Sequence, residues 1–313
     1  MELVVCCDCD RTFPAVEGIP DLRDSAGDTG WQQHDLDVAR ANSAELRSAG
    51  LQEVVEQLSG QSDVSEDTRS MRVRQIMTAP PKFRHQFESW LQPCLDEGAL
   101  VLDVGCGTGG LLAGAHTLGI QAAGIDASMA NLIAAKHMIE AHGGTARLAC
   151  AYAESLPLLD SQFTAVTMYD AIEHVDDVTD TISEACRVLR PGGFLGMSTP
   201  NRYSLTREPH VLIWGVGWLP RPLQQPYVKW RTGKDYEQTC LISTWAMRRE
   251  MQRHPEVEFE IRIPQVPREE IAGFSALRAR LAQLYNRVAG WRLLRPLLLA
   301  VGPFYQVTAR RRD

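Results

Sequence analysis

The sequence predicts an α/β fold: a doubly wound, mostly parallel sheet of seven strands with helices packed on its faces. Two observations carry this prediction. From residue 99 onward, short apolar runs alternate with segments of helical periodicity, a pattern typical of parallel strands joined by right-handed crossovers. The glycine-rich stretch 105–110 follows the first run and opens a helical segment, which is where doubly wound folds expose backbone N–H groups to a ligand.

Seven apolar runs have the length of buried strands, five before residue 201 and two after it. The predicted strands are 99–104, 121–125, 146–151, 163–169, 193–198, 257–263 and 304–309. Segments of helical periodicity fit between them. The predicted helices of this part are 111–118, 129–141, 179–189 and 243–254.

Two segments precede this core. Residues 1–30 lack helical periodicity and predict a hairpin with a turn at Gly18–Asp21. Residues 31–98 predict a helical leader. Its helices are predicted at 45–58 and 82–92, with a polar connection at 59–70.

The alternation ends after Asn201, so the core domain is predicted to be 99–201. Residues 202–242 are rich in Gly, Pro and aromatic side chains, which favours an inserted lid over another strand–helix unit. Residues 243–313 predict the last two strands with a helical insertion, 268–300, between them.

The composition is that of a globular protein, with 313 residues, 44% hydrophobic, 23% charged and a net charge of −7. These values exclude a disordered or collagen-like chain and argue against a protein that coats nucleic acid. The charge is unevenly divided, because residues 202–313 contain 19 basic and 10 acidic residues whereas residues 1–201 contain 13 and 29. We expect the basic part to face the substrate, an anionic partner or a membrane surface.

The sequence favours a cytoplasmic protein. Its first residues lack a basic segment followed by a long apolar one, and no run reaches the roughly 18 apolar residues that a membrane span needs. The eight cysteines are scattered without regular pairing, so we expect reduced thiols.

The glycine-rich loop carries the first chemical signal. Its spacing is G-x-G-x-G rather than the G-x-G-x-x-G of dinucleotide sites, and Asp103 lies two positions before Gly105. A carboxylate there disfavours a pyrophosphate and favours a ligand with an ammonium group. Asp126, at the end of the second predicted strand, can accept hydrogen bonds from both hydroxyls of a ribose.

Five motifs in order resemble those of the class I S-adenosylmethionine-dependent methyltransferases, over about residues 80–201. They are Val101–Gly109, Gly124–Asp126, Ala151–Pro157, Tyr169–Val175 and Val188–Gly193. The resemblance implies S-adenosylmethionine as cofactor and S-adenosylhomocysteine as product. It implies that Asp103 and the loop hold the amino acid end, Asp126 the ribose, and Ala127 the adenine. The implied cofactor-binding residues are Asp103, Gly105, Cys106, Gly107, Gly109, Asp126, Ala127, Tyr152, Ala153 and Asp170.

Two positions depart from or complicate that pattern. The family usually has an Asp where Tyr152 stands, so Tyr152 accepts a hydrogen bond from adenine, stacks on it or only packs, and the Ala153 N–H is the safer adenine contact. Asp170 and Asn201 resemble part of a metal-assisted subgroup, but Thr199 and Pro200 occupy the places of its further carboxylate. We therefore expect no metal.

Two histidines are candidate general bases, because imidazole can take a proton near neutral pH. His174 follows the fourth predicted strand, and His210 lies in the predicted lid. The alternatives are a structural histidine bonded to the next loop for His174 and a surface loop residue for His210.

The aromatic and basic residues of the predicted lid indicate what kind of methyl acceptor the protein binds. Rings next to cations suit a small, partly hydrophobic ligand with an anionic or carbonyl-bearing end. The candidate substrate residues are Trp214, Trp218, Arg221, Tyr227 and Trp230. In residues 291–304, dense apolar residues flanked by arginines indicate core packing, a homodimer seam or contact with a membrane surface.

The N-terminal cysteines resemble the second half of the small zinc ribbon attached to some bacterial methyltransferases. Structural zinc takes four ligands, and Cys6 with Cys9 offers one pair, with Cys7 as a third candidate ligand. We interpret the segment as a remnant hairpin that packs through Phe13, Ile19 and Leu22, with zinc at Cys6 and Cys9 as the weaker alternative.

The sequence thus predicts an enzyme that methylates a small molecule, with a hydroxyl of a specialised metabolite, lipid-like or sugar-bearing compound as the preferred acceptor. Nucleic acid is less favoured, because no RNA-binding module is recognisable. The alternatives are an RNA methyltransferase, a non-catalytic regulator that binds S-adenosylmethionine, and an enzyme that uses the sulfonium for cyclisation or elimination.

Overall fold

The computed structural model describes residues 2–7, 9–23, 30–46, 50–60, 66–86, 91, 95, 98–266, 271–291 and 293–313. Their contacts divide the chain into two compact units. Unit 1 is Met1–Thr167 with Arg187–Phe194, and unit 2 is Met168–Cys186 with Leu195–Asp313.

The N-terminal segment forms a small antiparallel sheet. Its strands are β1 (Glu2–Val5), β2 (Thr12–Val16) and β3 (Ile19–Pro20). The hairpin prediction is confirmed, but the turn lies earlier than predicted, at Glu17 and Gly18. Both residues have positive φ (51° and 79°), as a type I′ turn requires, so Ile19 and Pro20 are free to pair with β2.

The predicted seven-stranded sheet is confirmed. Its strands are β4 (Leu100–Val104), β5 (Gln121–Asp126), β6 (Leu148–Cys150), β7 (Phe163–Tyr169), β8 (Leu189–Pro200), β9 (Val257–Arg262) and β10 (Phe304–Arg311). Their order is β6-β5-β4-β7-β8-β10-β9. Strand β4 pairs in parallel with β5 and β7, β5 with β6, and β9 runs antiparallel to β10. The fifth strand of this sheet begins at Leu189 rather than at the predicted residue 193.

Unit 1 contains six helices among its described residues. They are α1 (Trp31–Leu46), α2 (Leu51–Gly60), α3 (Glu66–Met77), α4 (Ala79–Gln86), α5 (Gly110–Thr117) and α6 (Met129–Ala141). The small sheet and the leader share one hydrophobic cluster with α6. Its members include Val16, Ile19, Leu36, Ala39, Val54, Leu132 and Ile133. The N-terminal segment therefore packs on the core through Val16 and Ile19; of the three predicted packing residues, Ile19 is in this cluster, whereas Phe13 and Leu22 are only half-buried and are not among its members.

The leader prediction was wrong in its helix boundaries. The predicted helix 45–58 is divided between α1 and α2, and α3 begins at Glu66, inside the predicted polar connection. Helix α1 was missed because two of its buried residues, Asp35 and Ser43, are polar and mask the apolar periodicity. The predicted helix 82–92 begins at Ala79, and residues 87–90 and 92 of it lie outside the described residues.

Helix α7 (Val178–Val188) precedes β8, and four further helices belong to unit 2 among its described residues. They are α8 (Arg221–Thr232), α9 (Thr244–Met251), α10 (Ala276–Ala289) and α11 (Arg295–Val301). The predicted lid contains α8 and a small cluster of its own, Val216, Val228 and Tyr236. The helical insertion is α10 and α11, and residues 268–270 and 292 of it lie outside the described part. No helix in the described ranges has both the length and the apolar character to cross a membrane.

Candidate active site

The loop after β4 contains three glycines whose backbone lies in the left-handed region of φ/ψ space. Gly105, Gly107 and Gly109 have φ of 71°, 50° and 75°, which other residues rarely adopt. Space adds a second constraint at Gly109, because a Cβ there would lie 2.8 Å from the Cβ of Ala135 in α6. Glycine therefore lets the loop present its backbone to a ligand without strain, and the requirement is strictest at Gly109, where both φ and space exclude a Cβ.

Asp126 ties this loop to the end of β5. Its Oδ2 accepts a hydrogen bond from the N–H of Gly107 at 2.8 Å, and its Oδ1 accepts from the N–H of Ser128 at 2.9 Å. The side chain of Asn131 adds a longer contact to Oδ1, 3.4 Å. A carboxylate offers about four lone-pair sites, so Asp126 retains capacity for a ribose hydroxyl, chiefly on Oδ2.

Asp103 lies in β4 and is 4% exposed. Its Oδ1 accepts a hydrogen bond from the hydroxyl of Thr167 at 2.7 Å. Desolvation by burial raises the pKa of the carboxyl to about 7, against the lowering effect of Thr167. A nearby ammonium group would stabilise the ionised form, so the site fits a cationic amino acid ligand.

This pKa predicts that cofactor binding depends on pH. Since the ammonium group needs the ionised carboxylate, affinity for S-adenosylhomocysteine should be constant above pH 7 and fall about tenfold per pH unit below it. Calorimetric titration across pH 5 to 8 measures this. Adenosine, which lacks the ammonium group, is the control ligand, and an equal pH dependence for adenosine would contradict the assignment of Asp103.

The segments predicted to flank adenine lie beside Asp126. The N–H of Ala151 donates to the carbonyl of Asp126 at 3.1 Å, which brings Tyr152 and Ala153 to the end of β5. Both are half-buried, as is Ala127. Cys106 is 7% exposed, and desolvation raises the pKa of its thiol well above the ordinary value, as expected of a packing residue rather than a nucleophile.

A buried charge network behind this site was missed by the sequence analysis. Arg23 binds both carboxylate oxygens of Asp21, at 2.9 and 2.8 Å, and reaches Asp35 at 3.0 Å. It also donates to the carbonyl of Ala127 at 2.8 Å. Asp35 in turn accepts from the N–H of Met129 at 2.8 Å, at the start of α6. The hydrogen-bonded pair Arg23 and Ala127 is 104 positions apart, so no local pattern could have indicated the network.

Unit 2 holds the two candidate bases in one cluster around a buried carboxylate. Glu173 is fully buried, its Oε2 accepts from the Thr199 hydroxyl at 2.9 Å, and its Oε1 has no hydrogen-bond partner. Desolvation, with the charge of Asp170, raises the pKa of Glu173 to about 7. The rings of His174 and His210 lie edge to face, 4.9 Å apart.

His210 is oriented by a second carboxylate. Its Nδ1 lies 2.5 Å from Oε1 of Glu208, and its Nε2 lies 3.8 Å from Oε1 of Glu173. Desolvation lowers the pKa of His210, but the hydrogen bond and charge of Glu208, with the charge of Glu173, raise it above its ordinary value. A carboxylate that fixes one ring nitrogen and leaves the other to react is the usual arrangement of a histidine base.

His174 is held differently. Its Nδ1 lies 2.9 Å from the carbonyl of Gln238, and because a carbonyl only accepts, Nδ1 carries the proton in this bond. This is the backbone contact expected of a structural histidine. Asp170, predicted to bind the cofactor, follows β7 with a φ of 51° and is exposed in unit 2.

The predicted substrate residues are mostly exposed. Trp214, Trp218 and Trp230 are 58%, 46% and 76% exposed, and Arg221 is exposed at the start of α8. Tyr227 is half-buried and donates its hydroxyl to the Trp214 carbonyl at 2.9 Å. These residues offer rings for contact and stay candidates for acceptor binding.

Possible metal ligands cluster in two places among the described residues, neither at the N-terminus. One is Glu173 with His174 and His210, and the other is Cys186 with His254 and Glu256. In the N-terminal turn, the Arg11 side chain donates to the sulfur of Cys9 at 3.5 Å. The described geometry thus adds no third ligand to Cys6 and Cys9.

Comparison with known proteins adds three findings. Residues 102–197 match the family described as a methyltransferase domain. The chain is 32% identical over 142 residues to the ubiquinone biosynthesis O-methyltransferase of Methylobacterium sp. (strain 4-46), covering 44% of this chain and 56% of that protein. It is 36% identical over 107 residues to the protein of the same name from Alkalilimnicola ehrlichii, 34% of this chain and 43% of that protein. The chain thus spans about half of the length of these relatives.

Among solved structures, an S-adenosylmethionine-dependent methyltransferase from Mesorhizobium loti is similar at a TM-score of 0.49 and 20% identity, covering 72% of this chain and 97% of that chain. A possible histamine N-methyltransferase from Thermotoga maritima is similar at a TM-score of 0.46 and 18% identity, covering 83% of this chain and 99% of that one.

Proposed function

We propose that this chain, whose residues 102–197 match a methyltransferase domain, is a class I enzyme that transfers a methyl group from S-adenosylmethionine to a hydroxyl of a small molecule. The observation that carries the proposal is the pairing of a glycine-lined loop with two carboxylates, Asp103 and Asp126. A cationic, ribose-bearing ligand matches both carboxylates, whereas a phosphate at this loop would be repelled by them.

Each part of the loop has a role in this proposal. Asp103 binds the ammonium group, the backbone of Gly105–Gly109 receives the amino acid end, and Asp126 accepts from the ribose. Ala127, Tyr152 and Ala153 receive the adenine. When bound, the sulfonium supplies an electrophilic methyl carbon, so the protein has to bind, orient and desolvate rather than activate the donor.

We assign the removal of the acceptor's proton to His210. Its Nδ1–H donates to Glu208, so Nε2 can take the proton of an acceptor hydroxyl, and the carboxylates stabilise the imidazolium that results. His174 remains the second candidate. No metal is included, since a positioned base and an activated donor suffice for this reaction.

The acceptor is proposed to be partly hydrophobic. The exposed rings of Trp214, Trp218 and Trp230 support a ligand that buries apolar surface. The names of the relatives favour oxygen as the atom methylated. Two finer predictions accompany this proposal: contact of residues 291–304 with a membrane surface, which the exposure of Leu293 and Leu297 supports, and a homodimer, which stays a prediction.

The test uses S-adenosylmethionine with a deuterated methyl group. Incubation with a small-molecule extract should release S-adenosylhomocysteine and yield a product that has gained the deuterated methyl mass. Cofactor binding without any release would indicate a regulator, and a product without the label would indicate cyclisation or elimination. Binding to RNA that weakens steeply with salt, with RNA methylation, would favour the RNA enzyme. Each of these outcomes contradicts the proposal.

The role of His210 predicts a loss of turnover on substitution. With an acceptor from that screen, His210→Ala should lower kcat by about 10²- to 10⁴-fold and leave cofactor affinity unchanged, because only proton transfer is lost. The wild-type rate should rise with pH through the raised pKa of His210, since the base acts only when neutral. His174→Ala and the exposed His34→Ala are the comparisons. Full turnover in both His174→Ala and His210→Ala would show that proximity alone suffices.

A further inference from the structure

Helix α10 carries a leucine stripe on the side that faces away from its unit. The stripe consists of Leu277, Leu281 and Leu284, which are 71%, 57% and 52% exposed. Their spacing of four and three residues places them on one face of the helix. The other side is anchored, because Ala282 is buried and the Asn286 side chain bonds to both backbone groups of Val266, at 2.9 and 2.8 Å.

The apolar surface continues into the next helix. Trp291, Leu293 and Leu297 are 57%, 94% and 59% exposed, and no residue of α11 is buried. We call these six side chains the α10–α11 surface. Six large, exposed apolar side chains within one short stretch of chain exceed the single exposed residues that a protein surface normally shows.

The charge around this surface is predominantly positive, with Glu260 as an acidic neighbour beside Arg295. Residues 271–301 contain five arginines and no aspartate or glutamate. Arg280 and Arg287 lie three residues after Leu277 and Leu284, so they border the leucine stripe. Neither forms an ion pair with any residue of the described part. A basic border around an apolar face suits a surface that is apolar within and anionic at its edge.

A groove between α9 and α11 adds a second feature of the same chemistry. Its volume is about 380 Å³, and its lining includes the Trp245 ring, Leu299 and the side chains of Arg248 and Arg295. Arg295 also pairs with Glu260 at 2.5 Å, which holds its guanidinium in place. Arg248 forms no ion pair with the described residues, so its guanidinium beside the apolar walls suits a phosphate attached to an acyl-bearing ligand, whereas Glu260 offsets the charge of Arg295.

A second copy of the chain fits this surface poorly. A twofold contact brings the same surface of each protomer together, so it would gather the arginines of both copies in one interface, with no carboxylate inside 271–301 and only the neighbouring Glu260 to offset them. Nucleic acid would neutralise the arginines but leave the leucines in water. An anionic bilayer would both bury the leucines and neutralise the arginines, because the leucines enter the acyl boundary while the arginines stay at the phosphates.

We infer that the α10–α11 surface docks on the surface of a bilayer containing anionic phospholipid, with a lipid phosphate in the α9–α11 groove. The inference rests on the membrane contact proposed above for residues 291–304 and extends it to α10, an anionic lipid and the groove, but it does not depend on the proposed reaction, since docking requires neither cofactor nor acceptor. If both hold, the enzyme would collect a lipid-like acceptor from the bilayer.

The test is cosedimentation of the full chain with vesicles of phosphatidylcholine alone and of phosphatidylcholine mixed with phosphatidylglycerol. Wild type should bind the mixed vesicles, and added salt should weaken binding. Replacing both border arginines, R280Q with R287Q, should weaken binding about thirtyfold, because each arginine near an anionic surface strengthens binding by roughly fivefold. Replacing two stripe leucines, L281S with L284S, should weaken it at least about tenfold.

Matched controls come from unit 1. Leu159 is 74% exposed and Arg40 lies at the surface, so L159S and R40Q should leave binding unchanged. Because every substituted residue is exposed or borders solvent, circular dichroism should report intact folding for all variants. Absence of binding by wild type, or equal binding by the L281S/L284S variant, would overturn the inference. A dimer that L281S/L284S dissociates, without vesicle binding, would assign the surface to a second copy instead.

Discussion

Arg23→Met is expected to lower the free energy of unfolding by about 3–5 kcal/mol. The Arg23 side chain is fully buried, and its two carboxylate partners, Asp21 and Asp35, are 2% and 6% exposed. Removing the guanidinium leaves both carboxylates without a countercharge in the interior. Methionine keeps most of the apolar volume, so the loss reports the charges rather than a cavity. Urea denaturation measures the change.

The matched control is Arg40→Met, which removes an exposed partner of Asp37 and should cost at most about 1 kcal/mol. Arg23→Lys should fall between the two, because one ammonium group cannot bridge two carboxylates and the Ala127 carbonyl. Combining Arg23→Met with Asp21→Asn and Asp35→Asn should recover part of the loss. An effect of Arg23→Met no larger than that of Arg40→Met would show that the network does not stabilise the fold.

Asp126→Asn is expected to weaken S-adenosylhomocysteine binding by about 100-fold, since hydrogen bonds to a charged group contribute roughly 1.5–3 kcal/mol each. The amide would turn a donor toward the N–H of Gly107 or Ser128, so the loop itself would lose a contact as well as the ribose. Calorimetric titration with S-adenosylhomocysteine measures the loss.

Adenosine as a second probe separates the two carboxylates. Asp126→Asn should weaken both ligands, whereas Asp103→Asn should weaken only the ligand that carries the ammonium group. The exposed Asp160→Asn, which removes a surface pair with Arg187, is the control and should bind as wild type does. Unchanged adenosine binding by Asp126→Asn would contradict the ribose assignment.

The features predicted well from the sequence are those with local signals. The loop 105–109 and Asp126 follow directly on apolar strands, so strand periodicity and glycine spacing placed them at one end of β4 and β5. Arg23 and Asp35 had no such signal, because their respective partners Ala127 and Met129 lie about a hundred residues away. Glu208 was missed for a different reason: it lies only two residues before His210, but in a segment without strand or helix periodicity that spacing does not indicate a contact.

The periodicity of apolar residues predicts that a helix has an apolar face, but it does not show whether the rest of the protein buries that face. The leucines of α10 have the spacing that usually indicates a buried stripe, yet the structure buries Ala282 and leaves the leucines exposed. The helical insertion was therefore predicted, and the orientation of its helices was not. Helix α1 shows the converse, since buried polar residues removed the pattern by which a helix is found.

The link from Arg23 to Ala127 has a consequence for biogenesis. Residues 21–23 dock on residues 127 and 150, through the Arg23 contact and the bond from the N–H of Leu22 to the carbonyl of Cys150. On a ribosome, the early segment must wait until about a hundred later residues have been synthesised. Until then, Asp21, Arg23 and Asp35 can contact only water and one another. The contact of Arg23 with Ala127 thus forms only after residue 127 has been synthesised, so the N-terminal segment and the turn into α6 complete their packing together.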